Sequence, residues 1–176
     1  GAAAAAAGLW IDSATLRQIE VDLDRTLPEL GFFNQDGGPY HDNLRRLLRA
    51  YAAHRPLVGY VQGMGYAASV LLIHMDPEDA LVVLINALDR FHFPAFLALD
   101  VDRIDRYVAP FQRSLQRYLP DLAAHLAGLG IDPRVYLIEW WLTLFGTVLP
   151  VDCVSIVWDL LLLDGVPALA QVTLGV

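Results

Sequence analysis

Two short stretches of the sequence carry polar side chains whose types and spacing could do chemistry. In the first, 19-IEVDLDRT-26, Asp22 precedes Arg25 by three residues, close enough for the two side chains to pair on a helix surface. The apolar Ile19 and Leu23 share one face of such a helix, and Arg25 falls on the opposite side. An outward arginine presents a charged, planar fork of N–H donors to phosphate or carboxylate oxygens. The segment also fits a solvated arginine that compensates the helix dipole. This segment alone therefore leaves both interpretations of Arg25 open.

The second stretch, 56-PLVGYVQGMGYAASVLLIHM-75, contains no charged residue, yet the amide of Gln62 stands near its start. An amide both accepts and donates hydrogen bonds without carrying charge, so it can orient a water molecule or satisfy a structural contact. Glycines surround it at positions 59, 63 and 65, where they permit a tight turn, close helix packing or the close approach of another backbone. The stretch therefore predicts either a structural amide or an exposed functional one.

The other candidates for chemistry have structural explanations. Three histidines show no partner pattern for a catalytic dyad, and we expect them at the surface or in the core: His54, His74 and His92. The tryptophans in apolar helical sequence are expected to fill the core: Trp140, Trp141 and Trp158. We expect Cys153 to be a small buried hydrophobe. Three acidic residues in the C-terminal part of the chain are expected to be structural and near helix ends: Asp152, Asp159 and Asp164.

Composition excludes several classes of function. A net charge of −8 argues against binding to nucleic acid, which usually requires a basic surface. All 12 basic residues are arginine, so neither a Walker A lysine nor a Schiff-base lysine exists, and no G-x-G-x-x-G motif occurs. Metal-ligand spacings of Cys and His are absent, and the single cysteine cannot form an internal disulfide. These features predict no bound cofactor or metal and a reducing, cytoplasmic compartment.

The chain is apolar enough to raise the question of a membrane protein, with 56% hydrophobic residues and a mean hydropathy of +0.42. The uncharged run 56–75 is long enough to span a bilayer, but its glycines, tyrosines, Gln62 and His74 favour a helix in a protein core. The apolar runs 135–151 and 153–163 contain acids or prolines and are also predicted as core helices. No charged n-region with an apolar h-region opens the chain, so no signal peptide is expected.

Helix signals recur along the chain and predict an all-α fold of many short helices in a single domain. A low-complexity alanine tract occupies residues 1–8, and the sequence from Leu9 to residue 176 is helical in pattern. Prolines with acids nearby predict helix starts at Pro77, Pro120, Pro133 and Pro150. Glycines predict helix ends at Gly128, Gly130 and Gly165. Two sets at helical spacing predict core faces: Leu44, Leu47, Leu48 and Tyr51, and Leu81, Leu84, Ile85 and Leu88.

Taken together, 19-IEVDLDRT-26, 49-RAYAAHRPLVGYVQGM-64 and 149-LPVDCVSIVWDLLLLDG-165 resemble the TBC (Tre-Bub-Cdc) domain, the GTPase-activating domain for Rab-family GTPases. The family's I-x-x-D-x-x-R motif matches Ile19, Asp22 and Arg25, and its Y-x-Q motif matches Tyr60 and Gln62. The resemblance implies an all-helical TBC domain over residues 9–176, lacking part of the family's N- and C-terminal helices. Arg55 and Gly65 depart from the family pattern at positions that are not catalytic.

The resemblance implies a function and a role for each motif residue. It implies that Arg25 and Gln62 are catalytic fingers that act in trans on a GTP-bound Rab GTPase, and that Asp22 helps to hold Arg25. Ile19, Tyr60, Gly63 and Met64 become supporting residues. GTP and Mg²⁺ belong to the partner, so the chain has no cofactor or nucleotide site and is an activator rather than an enzyme. The resemblance also implies vesicle trafficking at the cytosolic face of endomembranes, with peripheral membrane association left to other regions or partners.

Two alternatives remain open, and one geometric expectation bears on them. The chain could be a non-catalytic Rab-binding scaffold with a TBC fold, although such modules usually lose the arginine or the glutamine. It could also be a helical adaptor with no GTPase partner, which makes both motifs coincidental. The dual-finger interpretation predicts that Arg25 and Gln62 lie side by side at the mouth of one exposed groove, with Gln62 at the tip of a rigid helix.

Overall fold

A computed structural model describes residues 11–175, and within this range the chain is helical, with no strand. The ten α-helices of the described residues are α1 (Ser13–Leu23), α2 (His41–His54), α3 (Met64–His74), α4 (Pro77–Leu88), α5 (Phe93–Leu97), α6 (Val101–Tyr118), α7 (Pro120–Gly128), α8 (Arg134–Leu142), α9 (Val151–Asp164) and α10 (Val166–Gly175). A short 3₁₀-helix spans Pro28–Leu30. The all-α prediction is confirmed, while the predicted alanine tract 1–8 lies outside the described residues.

The chain divides between Asp89 and Arg90 into two compact units. In the first unit, α3 packs against α1, α2 and α4, so neighbours surround it. This explains its composition: eight of its 11 residues are buried and none carries a full charge. A helix that is apolar on every side belongs in a core. No helix among residues 11–175 combines the length and the apolar character that crossing a bilayer requires.

The apolar run 56–75 is not one helix, because α3 begins only at Met64. The residues before it form turns in which Gly59 and Gly63 adopt φ angles of +64° and +99°. These left-handed conformations suit glycine and interrupt a helix. The run 135–151 is similarly divided, since α8 ends at Leu142 and a series of turns follows. The glycine and proline signals were therefore better guides than apolar character to where helices begin and end.

The predicted core faces and helix boundaries are mostly correct. On α2, all four predicted core residues are buried: Leu44, Leu47, Leu48 and Tyr51. On α4, Leu84 and Leu88 are buried, whereas Leu81 and Ile85 are partly exposed. Proline opens α4 and α7, and it stands immediately before the first residue of α8 and α9. Gly128 ends α7, and Gly165 caps α9 with a φ of +75°.

The second unit is organised around the buried Trp141 of α8. Its indole N–H donates to the Thr173 hydroxyl of α10 at 2.9 Å, and its ring stacks on Phe96 with centroids 5.7 Å apart. Trp158 is also buried, whereas Trp140 is partly exposed. The prediction that Cys153 is buried was wrong: it lies on the exposed side of α9, because Val154 and Val157 occupy the buried side.

His92 is the buried member of the three candidate histidines, and its ring lies among aromatic side chains near Trp141. Its Nε2–H donates to the Trp141 carbonyl oxygen at 2.9 Å, while the buried Nδ1 has no hydrogen-bond partner within the described part of the chain. Protonation would place an unpaired cation in the core, so burial lowers the pKa of His92 to about 4. Among the described residues no charged side chain pairs with this ring, so nothing here suggests a catalytic role for it.

We expect His92 to make the stability of the chain depend on pH. Between about pH 4 and pH 6.5 the unfolded chain binds a proton that the folded chain excludes, so stability falls as the pH is lowered through this window. The effect is at most on the order of 3 kcal/mol. Urea unfolding at pH 7 and pH 4.5 should show a larger loss for the wild type than for His92→Gln, which cannot titrate. Equal losses in the two proteins would exclude His92 as the cause.

Candidate functional site

The carboxylate of Asp22 joins the two motifs that the sequence singled out. Asp22 lies in the last turn of α1 and is buried, with 3% of its surface exposed. One carboxylate oxygen forms an ion pair with Arg25 Nη2 and accepts from Gln18 Nε2 at 3.1 Å. The other accepts from the Tyr60 hydroxyl at 2.7 Å. The predicted pairing of Asp22 with Arg25 is confirmed, and one buried acid ties the arginine motif to the glutamine motif.

Arg25 lies in a turn just beyond the end of α1, because α1 ends at Leu23. The sequence had placed this arginine on the helix itself. The chain must leave the helix here, since Leu27 adopts a φ of +45° and proline opens the 3₁₀-helix that follows. The next residue, Thr26, is buried, and its hydroxyl donates to the Asp22 carbonyl oxygen at 2.7 Å. The Arg25 side chain itself is 44% exposed. The arginine is thus presented to solvent from an anchored turn.

Gln62 lies in the turn that precedes α3, two positions before its first residue, Met64. The predicted placement at the tip of the helix is therefore wrong by about one half-turn, because Gly63 adopts a left-handed conformation and caps the helix. The Gln62 side chain is exposed and makes no hydrogen bond to residues 11–175. Gln62 is therefore not a buried structural amide.

Contacts on both sides of Gln62 attach its segment to the end of α1 and to the turn that carries Arg25. Tyr60 donates to Asp22 on one side of Gln62, and on the other side the Tyr66 hydroxyl donates to the Arg25 carbonyl oxygen at 2.9 Å. The two exposed side chains therefore stand on backbone segments that contact each other. Their alignment in a single groove stays a prediction.

The other predicted supporting residues contribute to the frame of the site. Ile19 and Met64 are fully buried, and the Met64 sulfur accepts from the Val61 backbone N–H at 3.4 Å. Sequence reasoning missed three residues that complete the frame: Gln18, Thr26 and Tyr66. Gln18 could have been found from its spacing, since it lies one helical turn before Asp22. The contact of Thr26 with the Asp22 carbonyl is also local, four residues back along the chain, whereas the contact of Tyr66 joins residues 41 positions apart and leaves no signal at helical spacing.

Tyr60 is held in its protonated form. Burial, followed by the hydrogen bond to the Asp22 carboxylate and the nearby negative charge, raises the pKa of Tyr60 well above its ordinary value. The hydroxyl therefore remains a donor at physiological pH, and the Tyr60–Asp22 contact persists.

Apolar side chains are exposed in the same two segments, with Leu57 fully accessible and Val21 61% exposed. No cluster of His, Cys, Asp or Glu able to hold a metal ion occurs among residues 11–175.

These features define an all-helical protein with an exposed, anchored arginine and an exposed glutamine on adjoining turns. The sequence matches the RabGAP-TBC family, described as the Rab-GTPase-TBC domain, over residues 10–176. The chain belongs to this family, and the resemblance noted in the sequence is confirmed.

Individual relatives cover most of the chain. It is 40% identical over 163 residues to TBC1 domain family member 14 of Homo sapiens, which accounts for 93% of this chain and 23% of that protein. It is 39% identical over 172 residues to TBC1 domain family member 12 of Xenopus tropicalis, covering 98% of this chain and 25% of that protein. Drainin of Dictyostelium discoideum is 34% identical over 157 residues, covering 89% of this chain and 36% of that protein. The chain thus spans about a quarter of the length of the TBC1 relatives it matches.

Proposed function

We propose that this chain is a GTPase-activating domain for a Rab-family GTPase, to which it supplies Arg25 and Gln62 in trans. The observation that carries the proposal is the Asp22 carboxylate, which pairs with Arg25 and accepts from Tyr60. Through it, two motifs far apart in sequence are joined, which supports a shared site. Membership of the Rab-GTPase-TBC domain family gives the partner class.

Arginine suits the first task in the partner's active site. GTP hydrolysis places growing negative charge on oxygens around the β and γ phosphorus atoms. A guanidinium is permanently charged and offers five N–H donors. Asp22 engages Nη2 of Arg25, so the remaining donors of this 44% exposed side chain can reach phosphate oxygens. An arginine inserted in trans accelerates hydrolysis by about 10³–10⁵, equivalent to roughly 4–7 kcal/mol of barrier.

Glutamine suits the second task, which is to hold the attacking water in line with the bond that breaks. The amide oxygen accepts from the water while the amide nitrogen donates to a neighbouring group, and no charge is introduced beside the phosphates. In many GTPases the enzyme's own glutamine does this. The exposed Gln62 can do it from outside, because its side chain makes no hydrogen bond to the described residues and stands on a turn anchored by Tyr60.

In this proposal the chain binds no nucleotide, and GTP and Mg²⁺ enter the joint active site with the partner. The two segments that carry the motifs also expose apolar residues, Leu57 and Val21, which suits docking of a folded protein. The proposed place of action is the cytosolic face of an endomembrane, where a GTP-bound Rab would be met during vesicle trafficking.

The proposal is tested by measuring phosphate release from a panel of GTP-loaded Rab proteins with and without the chain. We expect catalytic amounts of the wild type to accelerate hydrolysis by at least one Rab. The matched control is the double variant Arg25→Ala, Gln62→Ala, which should not accelerate it. Rab binding without acceleration across a broad panel would replace the proposal with a non-catalytic scaffold. A chain that neither binds nor activates any Rab would be a helical adaptor.

A further inference from the structure

Tyr66 belongs to neither motif, yet it forms a hydrogen bond to the turn that carries Arg25. It lies in the first turn of α3, and its hydroxyl donates to the backbone carbonyl oxygen of Arg25 at 2.9 Å. The two residues are 41 positions apart, so the bond is a tertiary contact and not a local consequence of helix geometry. It acts on the backbone of Arg25, whereas Asp22 acts on its side chain.

The Tyr66 contact completes the fixation of the peptide unit that follows Arg25. On the other side of this peptide, the Thr26 N–H donates to the Leu23 carbonyl oxygen at 3.1 Å, and the Thr26 hydroxyl donates to the Asp22 carbonyl oxygen at 2.7 Å. The absence of a side chain at Gly65 makes room for this hydroxyl, since a Cβ there would lie 2.7 Å from Thr26 Oγ1. With Tyr66 in place, both the carbonyl and the N–H of the Arg25–Thr26 peptide are hydrogen-bonded.

The Tyr66 bond matters because it restrains the Arg25 carbonyl, which the two bonds of Thr26 do not engage. Arg25 lies outside any helix, so no helical hydrogen bond restrains its carbonyl group. A change in the backbone dihedral angles of this turn would move the Arg25 Cα and its long side chain together. A group that must meet a developing charge loses effectiveness with small misplacements, and backbone restraint reduces them before the partner arrives.

We propose that Tyr66 is a positioning residue for the arginine finger, linking the orientation of Arg25 to the same segment that carries Gln62. The inference rests on the proposed GTPase-activating function. Tyr66 touches neither nucleotide nor water in this scheme; its hydroxyl sets the backbone from which Arg25 reaches into the partner's active site. Docking to the GTPase does not require that bond, so its loss affects the chemical step and leaves binding intact.

The test compares Tyr66→Phe with a matched control, Tyr107→Phe. The Tyr107 hydroxyl also donates to a backbone carbonyl, that of Phe91 at 3.1 Å, and both residues belong to the second unit. Each variant therefore loses a hydroxyl that donates to a backbone carbonyl oxygen. We expect Tyr66→Phe to lower the kcat of stimulated hydrolysis by about five- to tenfold with KM for the Rab unchanged, because one hydrogen bond is lost. Tyr107→Phe should change neither.

A third variant separates positioning from a general structural role. In an Arg25→Ala background the finger is absent, so adding Tyr66→Phe should cause no further loss of residual activity. Amide hydrogen exchange supplies a readout independent of any GTPase: Thr26 should exchange faster in Tyr66→Phe and at the wild-type rate in Tyr107→Phe.

Each remaining outcome overturns the inference in a recognisable way. A rise in KM at unchanged kcat would make Tyr66 a docking residue, and equal losses in both tyrosine variants would reduce it to a stabilising contact. An unchanged kcat in Tyr66→Phe would show that the turn needs no such restraint. If the wild type activates no Rab, the proposed function fails first and the positioning role fails with it. Activation by the wild type combined with any of the other results removes the positioning role alone.

Discussion

Replacing Arg25 with alanine is expected to reduce the maximal rate of stimulated GTP hydrolysis by about 10³-fold or more, because this is the contribution of an arginine finger to phosphoryl transfer. The loss should appear in kcat far more than in KM for the Rab, since the contact forms chiefly in the transition state. The fold should tolerate the change, because the Arg25 side chain is 44% exposed. Its removal does leave Asp22 buried, with Gln18 and Tyr60 as the remaining donors. Single-turnover hydrolysis at saturating chain measures the effect.

Replacing Arg25 with lysine should be nearly as damaging. Lysine keeps the charge but replaces the planar fork with a single ammonium group, which cannot hold Asp22 and phosphate oxygens in the same geometry. Arg113→Ala is the matched control, because Arg113 is an exposed arginine on α6 and should leave activation unchanged. Full activity in the lysine variant would show that charge alone suffices and that the finger geometry is wrong.

Replacing Gln62 with alanine is expected to remove most of the stimulated hydrolysis, by about 10²-fold or more, because the attacking water loses its orienting group. Stability should not change, since the Gln62 side chain is exposed and makes no hydrogen bond to the described residues. Gln116→Ala is the matched control, because Gln116 is an exposed glutamine on α6. The measurement is single-turnover hydrolysis, accompanied by thermal unfolding of each variant.

Two results would contradict the role of Gln62. Near-wild-type activation by Gln62→Ala would leave Arg25 as the only finger. A large loss of thermal stability in Gln62→Ala would restore the interpretation of this residue as a structural amide.

The parts of the fold that sequence predicted are those set by local rules. Helical spacing of apolar residues found the core face of α2, and proline followed by acids found the starts of α4 and α7. The pairing of Asp22 with Arg25 was also predictable, because it requires only a three-residue spacing near the end of a helix. In each case the deciding interactions lie within a few residues of one another.

The parts that sequence did not predict are set by backbone conformation and by tertiary contacts. Arg25 and Gln62 were both expected on helices, yet both lie in turns, since Leu27 and Gly63 adopt positive φ angles that end the regular structure. The bond from Tyr66 to Arg25 joins residues that no periodic pattern relates. Cys153 was misplaced because the hydrophobic character of a thiol does not say which side of α9 it occupies.

Arg25 and Gln62 could be named as the proposed catalytic pair only through the family resemblance. Taken alone, the arginine segment fitted a solvated, dipole-compensating side chain, and the glutamine segment fitted a structural amide. The structure changes the balance by exposing both side chains and by joining their segments through Asp22, Tyr60 and Tyr66. Exposure combined with an anchored backbone is what a site that acts on another protein requires.

In the proposed mechanism the chain supplies its own water-positioning glutamine, Gln62. Single-turnover GTP hydrolysis with a modified partner tests this role. The partner is a Rab that the wild-type chain activates, with the GTPase's own catalytic-site glutamine replaced by alanine. We predict that the wild-type chain still stimulates this Rab strongly, whereas Gln62→Ala stimulates neither this Rab nor the unmodified one. The combination of both changes should lose no more than Gln62→Ala alone, because in this mechanism the glutamine of the GTPase does not hold the water. The reverse pattern, with the modified Rab unresponsive and Gln62→Ala active on the unmodified Rab, would contradict the account.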